Sequence, residues 1–160
     1  MLTKCYILLG SNLGNCLQNL KQAVDLIQLH IGKINKASSI YKTAAWGNTE
    51  QGDFYNQVLF VETLLNPQEL LTMLLSIEKN MGRERKHKWE PRIIDLDILY
   101  FGSQIVNDEN LIIPHPWLHK RRFTLAPLAE ISPDFVHPLL VQSNQQLLEI
   151  CEDLLSVEKL

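Results

Sequence analysis

Cysteine is scarce in this 160-residue chain: three residues, at positions 5, 16 and 151. They form no CxxC pair and no Cys/His spacing suited to zinc, so neither a disulfide framework nor a zinc site is expected, and a reducing cytoplasm is the implied setting. Long apolar runs are also missing. The N-terminal one, Cys5 to Leu9, gives way to turn residues and is too short for a signal peptide or a membrane span. Nor is there an excess of positive charge: 15 Lys and Arg against 18 Asp and Glu leave a formal −3, which excludes bulk attraction to nucleic acid or an anionic membrane. Anion binding must then be local. No repeat or low-complexity segment occurs. What remains is a 46% apolar composition, enough over this length for one domain, residues 1–160, with a genuine core.

Periodicity predicts the elements. Tyr6 to Leu9 reads as a buried strand closed by the turn Gly10-Ser11-Asn12-Leu13-Gly14. Leu17, Leu20, Val24 and Ile27 place an amphipathic helix over 16–30, and a strand over 33–42 follows. Residues 43–54 make a long loop. A strand over 56–65 leads to Asn66-Pro67-Gln68-Glu69, a helix start with a cap, a first-turn proline and a glutamate three residues on. That helix presents Leu70, Leu74, Ile77 and Met81 on one face and ends at Gly82. Ile93 to Phe101 is a third strand, read as central, with Gly102-Ser103 turning it back into a partner over 104–107. A short helix over 123–131 and a last helix opened by Ser143, with an apolar stripe from Leu147 to Leu155, complete the chain. The order β-α-β-β-α-β predicts an α+β fold, a ferredoxin-like layer sandwich with additional C-terminal helices.

Asp95 and Asp97 interrupt the third strand. At i and i+2 of a strand their carboxylates share one face, and a buried ionised carboxylate demands compensation. The plain account is that each pairs with a lysine or arginine, or lies at a wet strand end. The sharper account is Mg²⁺, a hard cation content with one or two carboxylates plus phosphate oxygens and water. Just upstream, residues 83–92 hold five of the 15 Lys and Arg: Arg83, Arg85, Lys86, Lys88 and Arg92. A charge run is commonly a solvated loop, but beside a carboxylate pair it suits polyphosphate transfer, in which metal and guanidinium groups share the charge on nonbridging oxygens. Neither a P-loop nor a protein-kinase glycine loop is present. Asp53-Phe54-Tyr55-Asn56 offers aromatic and amide groups suited to a flat heterocycle, although core packing is the commoner use of such aromatics.

With these clusters in order, the chain resembles the 6-hydroxymethyl-7,8-dihydropterin pyrophosphokinase family. The resemblance rests on GSNLG, YKTAAWG, DFYN, IEKNMGR, KWEPRIIDLDILYFG and IPHPWLHKRRFTLAPLAEI, with PRxxDLDI the most specific. It implies a single pyrophosphokinase domain, a cytoplasmic monomer that moves the β,γ-pyrophosphoryl group of ATP to the pterin hydroxymethyl oxygen and releases AMP. It further implies Asp95 and Asp97 as ligands of two Mg²⁺ ions, with Arg83 and Arg92 as catalytic arginines of a mobile loop. Glu78, Arg85, Lys88, Trp89, Arg92, Ile98, His115 and Arg121 would bind ATP. Thr43, Ala44, Trp46, Phe54, Asn56 and Phe123 would bind the pterin, held between the Phe54 and Phe123 rings. Neither nucleic acid nor a membrane is implied as partner.

The loop here reads Lys88-Trp89-Glu90-Pro91-Arg92 where many relatives have Arg-Trp-Gly-Pro-Arg. Lysine lacks the bidentate fork, and Glu90 adds a negative charge near incoming phosphates. Ala44-Ala45 replaces prolines of some relatives, and Phe54 stands where tyrosine is often found. Two rivals differ in class: a ferredoxin-like RNA-binding module, disfavoured by the acidic balance, and a catalytically retired structural relative, disfavoured by retention of both aspartates and both loop arginines.

Overall fold

The structure is a computed structural model that describes residues 1–44, 52–84 and 90–160. The strands are β1 (Thr3–Ser11), β2 (Gly32–Ala37), β3 (Tyr41–Thr43), β4 (Phe54–Thr63), β5 (Asp95–Phe101), β6 (Val106–Asn107), β7 (Ile112–Ile113) and β8 (Val157–Lys159). The helices are α1 (Cys16–His30), α2 (Pro67–Asn80), α3 (Arg122–Ile131) and α4 (Asn144–Glu149), with a 3-10 turn at Leu118–Lys120. The main sheet runs β5-β1-β4-β3-β8, with β2 also on β4, and its pairings are antiparallel.

Strand alternation divides the core. Cys5, Ile7 and Leu9 of β1 join Leu20, Ala23 and Ile27 of α1 and Leu70, Leu74 and Ile77 of α2 on one face. Tyr6 and Leu8 join Leu125, Leu128 and Ile131 of α3 and Leu147 of α4 on the other. Each fully buried Leu or Ile contributes about 1.5–3 kcal/mol, so both faces are strongly held. Leu96 and Ile98 of β5 belong to the α1/α2 side, which turns Asp95 and Asp97 toward the face that carries α3. A bulge at Leu99 then shifts the register, since Tyr6 pairs with Tyr100 but Ile7 with Ile98.

Both long helices begin as their sequences predict. The Asn15 side chain accepts from Gln18 N–H at 3.1 Å, and Asn66 and Glu69 form a reciprocal capping box ahead of Pro67. At the end of α2, Gly82 adopts φ +93°, donating to the Lys79 carbonyl while Arg83 N–H reaches Glu78 O, a Schellman closure that aims the Arg83 side chain.

Several expectations change. Strand β1 continues through Gly10 and Ser11 rather than turning there, and the predicted strand over 56–65 is Phe54–Thr63. The strand expected over 33–42 is two, because Ser38 bonds Val58 by its side chain as well as its backbone and Ser39 turns its N–H to Glu130. Strand β5 starts at Asp95 and lies at the sheet edge, not its centre; His115 N–H covers that edge at Leu99 O, 3.0 Å away. Residues 106–107 pair with 112–113 instead of returning along β5. The last helix stops at Glu149, and residues 157–159 form β8 on β3. Among the described residues no helix is long and apolar enough to cross a membrane.

Candidate active site

The sheet register sets one row of residues across four strands: Asp95 of β5 opposite Gly10 of β1, Gly10 opposite Asn56 of β4, and Asn56 opposite Tyr41 of β3. Paired residues share a face, so this row, with Asp97, Phe54 and Thr43 two positions away, opens on the α3 side. Gly10 is the floor between the carboxylate and the amide. A Cβ there would stand 2.8 Å from Asn56 Oδ1 and 3.7 Å from the Phe54 ring. Asn56 is 3% exposed, yet its Nδ2 has no hydrogen-bond partner among the described residues. A buried amide donor left unpaired costs roughly 1–3 kcal/mol, which a polar ligand would recover.

Around Asp95 the charges interlock. Arg83 NH2 reaches Oδ1 at 3.3 Å and Arg92 NH1 reaches Oδ2 at 2.9 Å. The plain account of this carboxylate therefore holds. Glu78, 2% exposed, accepts from Leu96 N–H at 2.7 Å and lies 3.9 Å from Arg83 Nε, tying α2 to the edge of β5 between the two aspartates. Arg92 is placed from the other side: its backbone N–H donates to Asn12 Oδ1 at 2.7 Å, and Asn12 N–H donates to the Arg92 carbonyl at 3.1 Å. Its guanidinium stands 5.7 Å from the Phe54 ring centroid, bridging the acidic and aromatic parts.

Asp97, Ile98 and His115 line a cleft of about 260 Å³ with Leu71, Glu109 and Asn110. Burial, reinforced by the Arg121 charge and opposed by Asp95, lowers the His115 pKa to about 4. Its Nδ1 accepts from Trp117 N–H at 3.1 Å, which leaves the proton of the neutral ring on Nε2. Arg121, the N-cap of α3, stands 5.6 Å from the Phe123 ring and 5.8 Å from the Trp117 ring. Burial lowers its pKa, against which Asp97 and then Asp95 act.

The structure thus gathers Glu78, Arg83, Arg92 and Asp95 in one bonded cluster, sets Asp97, Ile98 and His115 on one cleft, and places Thr43, Phe54 and Asn56 on the same sheet face. Ala44 accepts the Thr43 hydroxyl at 3.3 Å. Trp46, Arg85, Lys88 and Trp89 lie outside the described residues. Gly10 and Asn12, read from the sequence as turn residues, are instead floor and positioner. The signal for Gly10 was a residue without a side chain directly after a buried run. Among the described residues no group of three or more His, Cys, Asp and Glu is suited to a metal. The donor set at Asp95 and Asp97 is two carboxylates, which fits a hard cation that completes its shell from phosphate oxygens and water.

The family model of 7,8-dihydro-6-hydroxymethylpterin-pyrophosphokinase (HPPK) matches residues 6–133. The curated 2-amino-4-hydroxy-6-hydroxymethyldihydropteridine pyrophosphokinase of Aquifex aeolicus is 41% identical over 134 residues, 84% of this chain and 83% of that protein. The protein of the same description from Bacillus subtilis is 46% identical over 127 residues, covering 79% and 76%. Among solved structures, a Plasmodium falciparum HPPK-DHPS chain superimposes with a TM-score of 0.79 at 19% identity. The superposition covers 93% of this chain and 45% of that one, so this chain spans less than half its length, and the likeness bears on the fold alone.

Proposed function

Because this chain belongs to the 7,8-dihydro-6-hydroxymethylpterin-pyrophosphokinase family, we propose that it transfers the β,γ-pyrophosphoryl group of ATP to 6-hydroxymethyl-7,8-dihydropterin in folate biosynthesis. The observation that carries this reading is the single row that sets a carboxylate, a bare floor and a buried amide with no partner for its Nδ2 among the described residues side by side on one sheet face. The comparisons do not support the RNA-binding reading.

In the proposed reaction the hydroxymethyl oxygen attacks the β-phosphorus, the bond from that phosphorus to the α-phosphate oxygen breaks, AMP departs and the hydroxyl proton is lost. Asn56 and Thr43, with Ala44 and Trp46, hold the pterin edge, and the Phe54 and Phe123 rings flank its faces. His115 Nε2–H, Glu78, Ile98 and Arg121, with Arg85, Lys88 and Trp89, hold the nucleotide. Arg83 and Arg92 exchange Asp95 for phosphate oxygens, which fixes the reacting atoms in line and excludes water. Asp95 and Asp97 would hold two Mg²⁺ ions, which would supply positive charge to offset the charge that develops on oxygen during the transfer. No side chain is assigned as an obligatory general base; in this reading Asp97 assists removal of the hydroxyl proton. The antiparallel order, with β5 beside β1 and β4 between β1 and β2, supports the ferredoxin-like description. We take residues 1–160 as one pyrophosphokinase domain acting as a cytoplasmic monomer on small molecules, without nucleic acid or membrane.

Protein, Mg²⁺, ATP and 6-hydroxymethyl-7,8-dihydropterin should yield AMP, and ADP in its place would refute pyrophosphoryl transfer. Asp97→Ala should nearly abolish AMP release with the far-UV spectrum unchanged. Full activity in that variant would remove Asp97 from the site.

A further inference from the structure

Residues 151–159 lie beyond the span matched by the family model, which ends at 133, and they touch both proposed walls of the pterin pocket. At one end is the first turn of α3. Its N-cap, Arg121, makes no side-chain capping bond, and the Arg122 N–H that would be left open donates to Asp153 Oδ2 at 3.0 Å. The Arg122 guanidinium returns the contact, donating from Nε to the Asp153 carbonyl at 2.9 Å and from NH2 to the Cys151 carbonyl at 2.8 Å. Phe123 is the next residue. At the other end β8 pairs with β3, Val157 opposite Thr43 and Lys159 opposite Tyr41, and Leu160 N–H donates to Ile40 O at 2.9 Å.

A third contact joins the two ends. Glu130, on α3, accepts from Tyr41 Oη at 2.7 Å and from the Ser39 N–H and hydroxyl at 3.1 and 2.9 Å, with Lys159 Nζ 3.9 Å away. Burial pulls the Glu130 pKa upward, but the bonds from Tyr41 and Ser39 outweigh it, and the net shift is downward. The carboxylate that receives β3 therefore stays charged. Strand β3 has three residues and gains from β8 the second neighbour that a short edge strand lacks.

We propose that the C-terminal segment Cys151–Lys159 is a positioning strap that sets the distance between Phe123 on α3 and Thr43 on β3, and so tunes pterin binding without touching ATP. Asp153 within it and Glu130, the α3 residue that faces its Lys159, are the positioning residues. The strap rests on the proposed pterin reaction for its meaning, and on the sheet and cap geometry for its existence.

The test compares wild type with Asp153→Ala, Glu130→Gln and a chain ending at Ser156, reading KM for each substrate, kcat, and amide exchange at Tyr41 to Thr43. The strap predicts that KM for the pterin rises roughly tenfold in all three variants; in Glu130→Gln, which leaves the first turn of α3 and Arg121 anchored, KM for ATP and kcat change by less than about twofold, because uniform binding of one substrate is what is lost. It also predicts roughly tenfold faster exchange at β3 in the shortened chain. Equal changes in both KM values in Glu130→Gln, or no rise in the pterin KM in any variant, would reduce the segment to a stabiliser and overturn the proposal. If wild type releases no AMP the pyrophosphokinase reading falls, and exchange alone decides the strap: unchanged protection of β3 overturns it. Should the shortened chain not fold, the two substitutions carry the comparison.

Discussion

Gly10→Ala tests the floor of the site on packing grounds. The added Cβ would lie 2.8 Å from Asn56 Oδ1, well inside the roughly 3.5 Å at which such atoms rest, so something must move by about 0.7 Å. Asn56 is 3% exposed and cannot swing into solvent, so the strain falls on its amide or on the β1–β4 spacing. Overpacking of this kind costs about 1–3 kcal/mol, and the reduced freedom of alanine in the unfolded chain returns about 0.4–1 kcal/mol. The net loss is about 1 kcal/mol, a fall in Tm of roughly 2–4 °C for a domain of this size. Displacement of the Asn56 amide should raise KM for the pterin by roughly tenfold, since a hydrogen-bonding edge is moved off its mark. A double-mutant cycle isolates the cause: in an Asn56→Ala background the clashing oxygen is gone, and Gly10→Ala should no longer destabilise. Urea unfolding of the four proteins gives the coupling. An equal cost of Gly10→Ala in both backgrounds would refute the contact, and a wild-type pterin KM in the single variant would refute the placement of the pterin above it.

Two further outcomes follow from burial. His115 and His137 have pKa values lowered from 6.5 to about 4, chiefly by desolvation, with Arg121 adding to the first and His119 to the second. Between these values the unfolded chain binds more protons than the folded one, so stability should fall as pH drops from about 6.5 towards 4; urea midpoints that stay level across that window would contradict it. Cys5 is fully buried, which pushes its thiol up to about 12, while Cys16 and Cys151 are partly exposed. An aromatic disulfide reagent should therefore modify Cys16 and Cys151 in the native protein and Cys5 only in denaturant; a Cys5 that reacts at the native rate of the others would show the core to be open.

Local signals carried much of the fold. The Leu17–Ile27 spacing placed α1, and Asn66, Pro67, Glu69 and Gly82 placed both ends of α2, because caps and periodicity act within one or two turns. What escaped was decided by distant partners. Nothing near Ile150 indicates that α4 ends at Glu149; the carbonyls of Cys151 and Asp153 are taken by Arg122, about thirty residues earlier, and the apolar stripe that predicted more helix leaves Leu154 94% exposed. The same holds at Ser38, whose bonds to Val58 split one strand into two. For the site, the i, i+2 spacing of Asp95 and Asp97 was readable, but the alignment of Asp95 with Gly10 and Asn56 belongs to strand register.

That register also joins two accounts of the aspartates that looked like rivals. In the structure Asp95 is compensated by arginine on both oxygens, which is what a partly buried carboxylate needs. Compensation from Arg83 and Arg92 is reversible in a way that a hydrophobic replacement would not be, because the same guanidinium groups have higher-charge partners in a polyphosphate. Under the proposed function, as the arginines leave for phosphate oxygens, the carboxylate oxygens become free for a cation, and Asp95 is at no point both buried and alone. Glu78 keeps β5 in place through this exchange by holding the Leu96 N–H, a backbone contact that does not depend on where Arg83 points. Asn12 does the same for Arg92 by gripping its backbone and leaving the guanidinium free to turn. The charged ends can therefore change partners while the main chain that carries them stays fixed, which is the property a phosphoryl-transfer site needs for positioning.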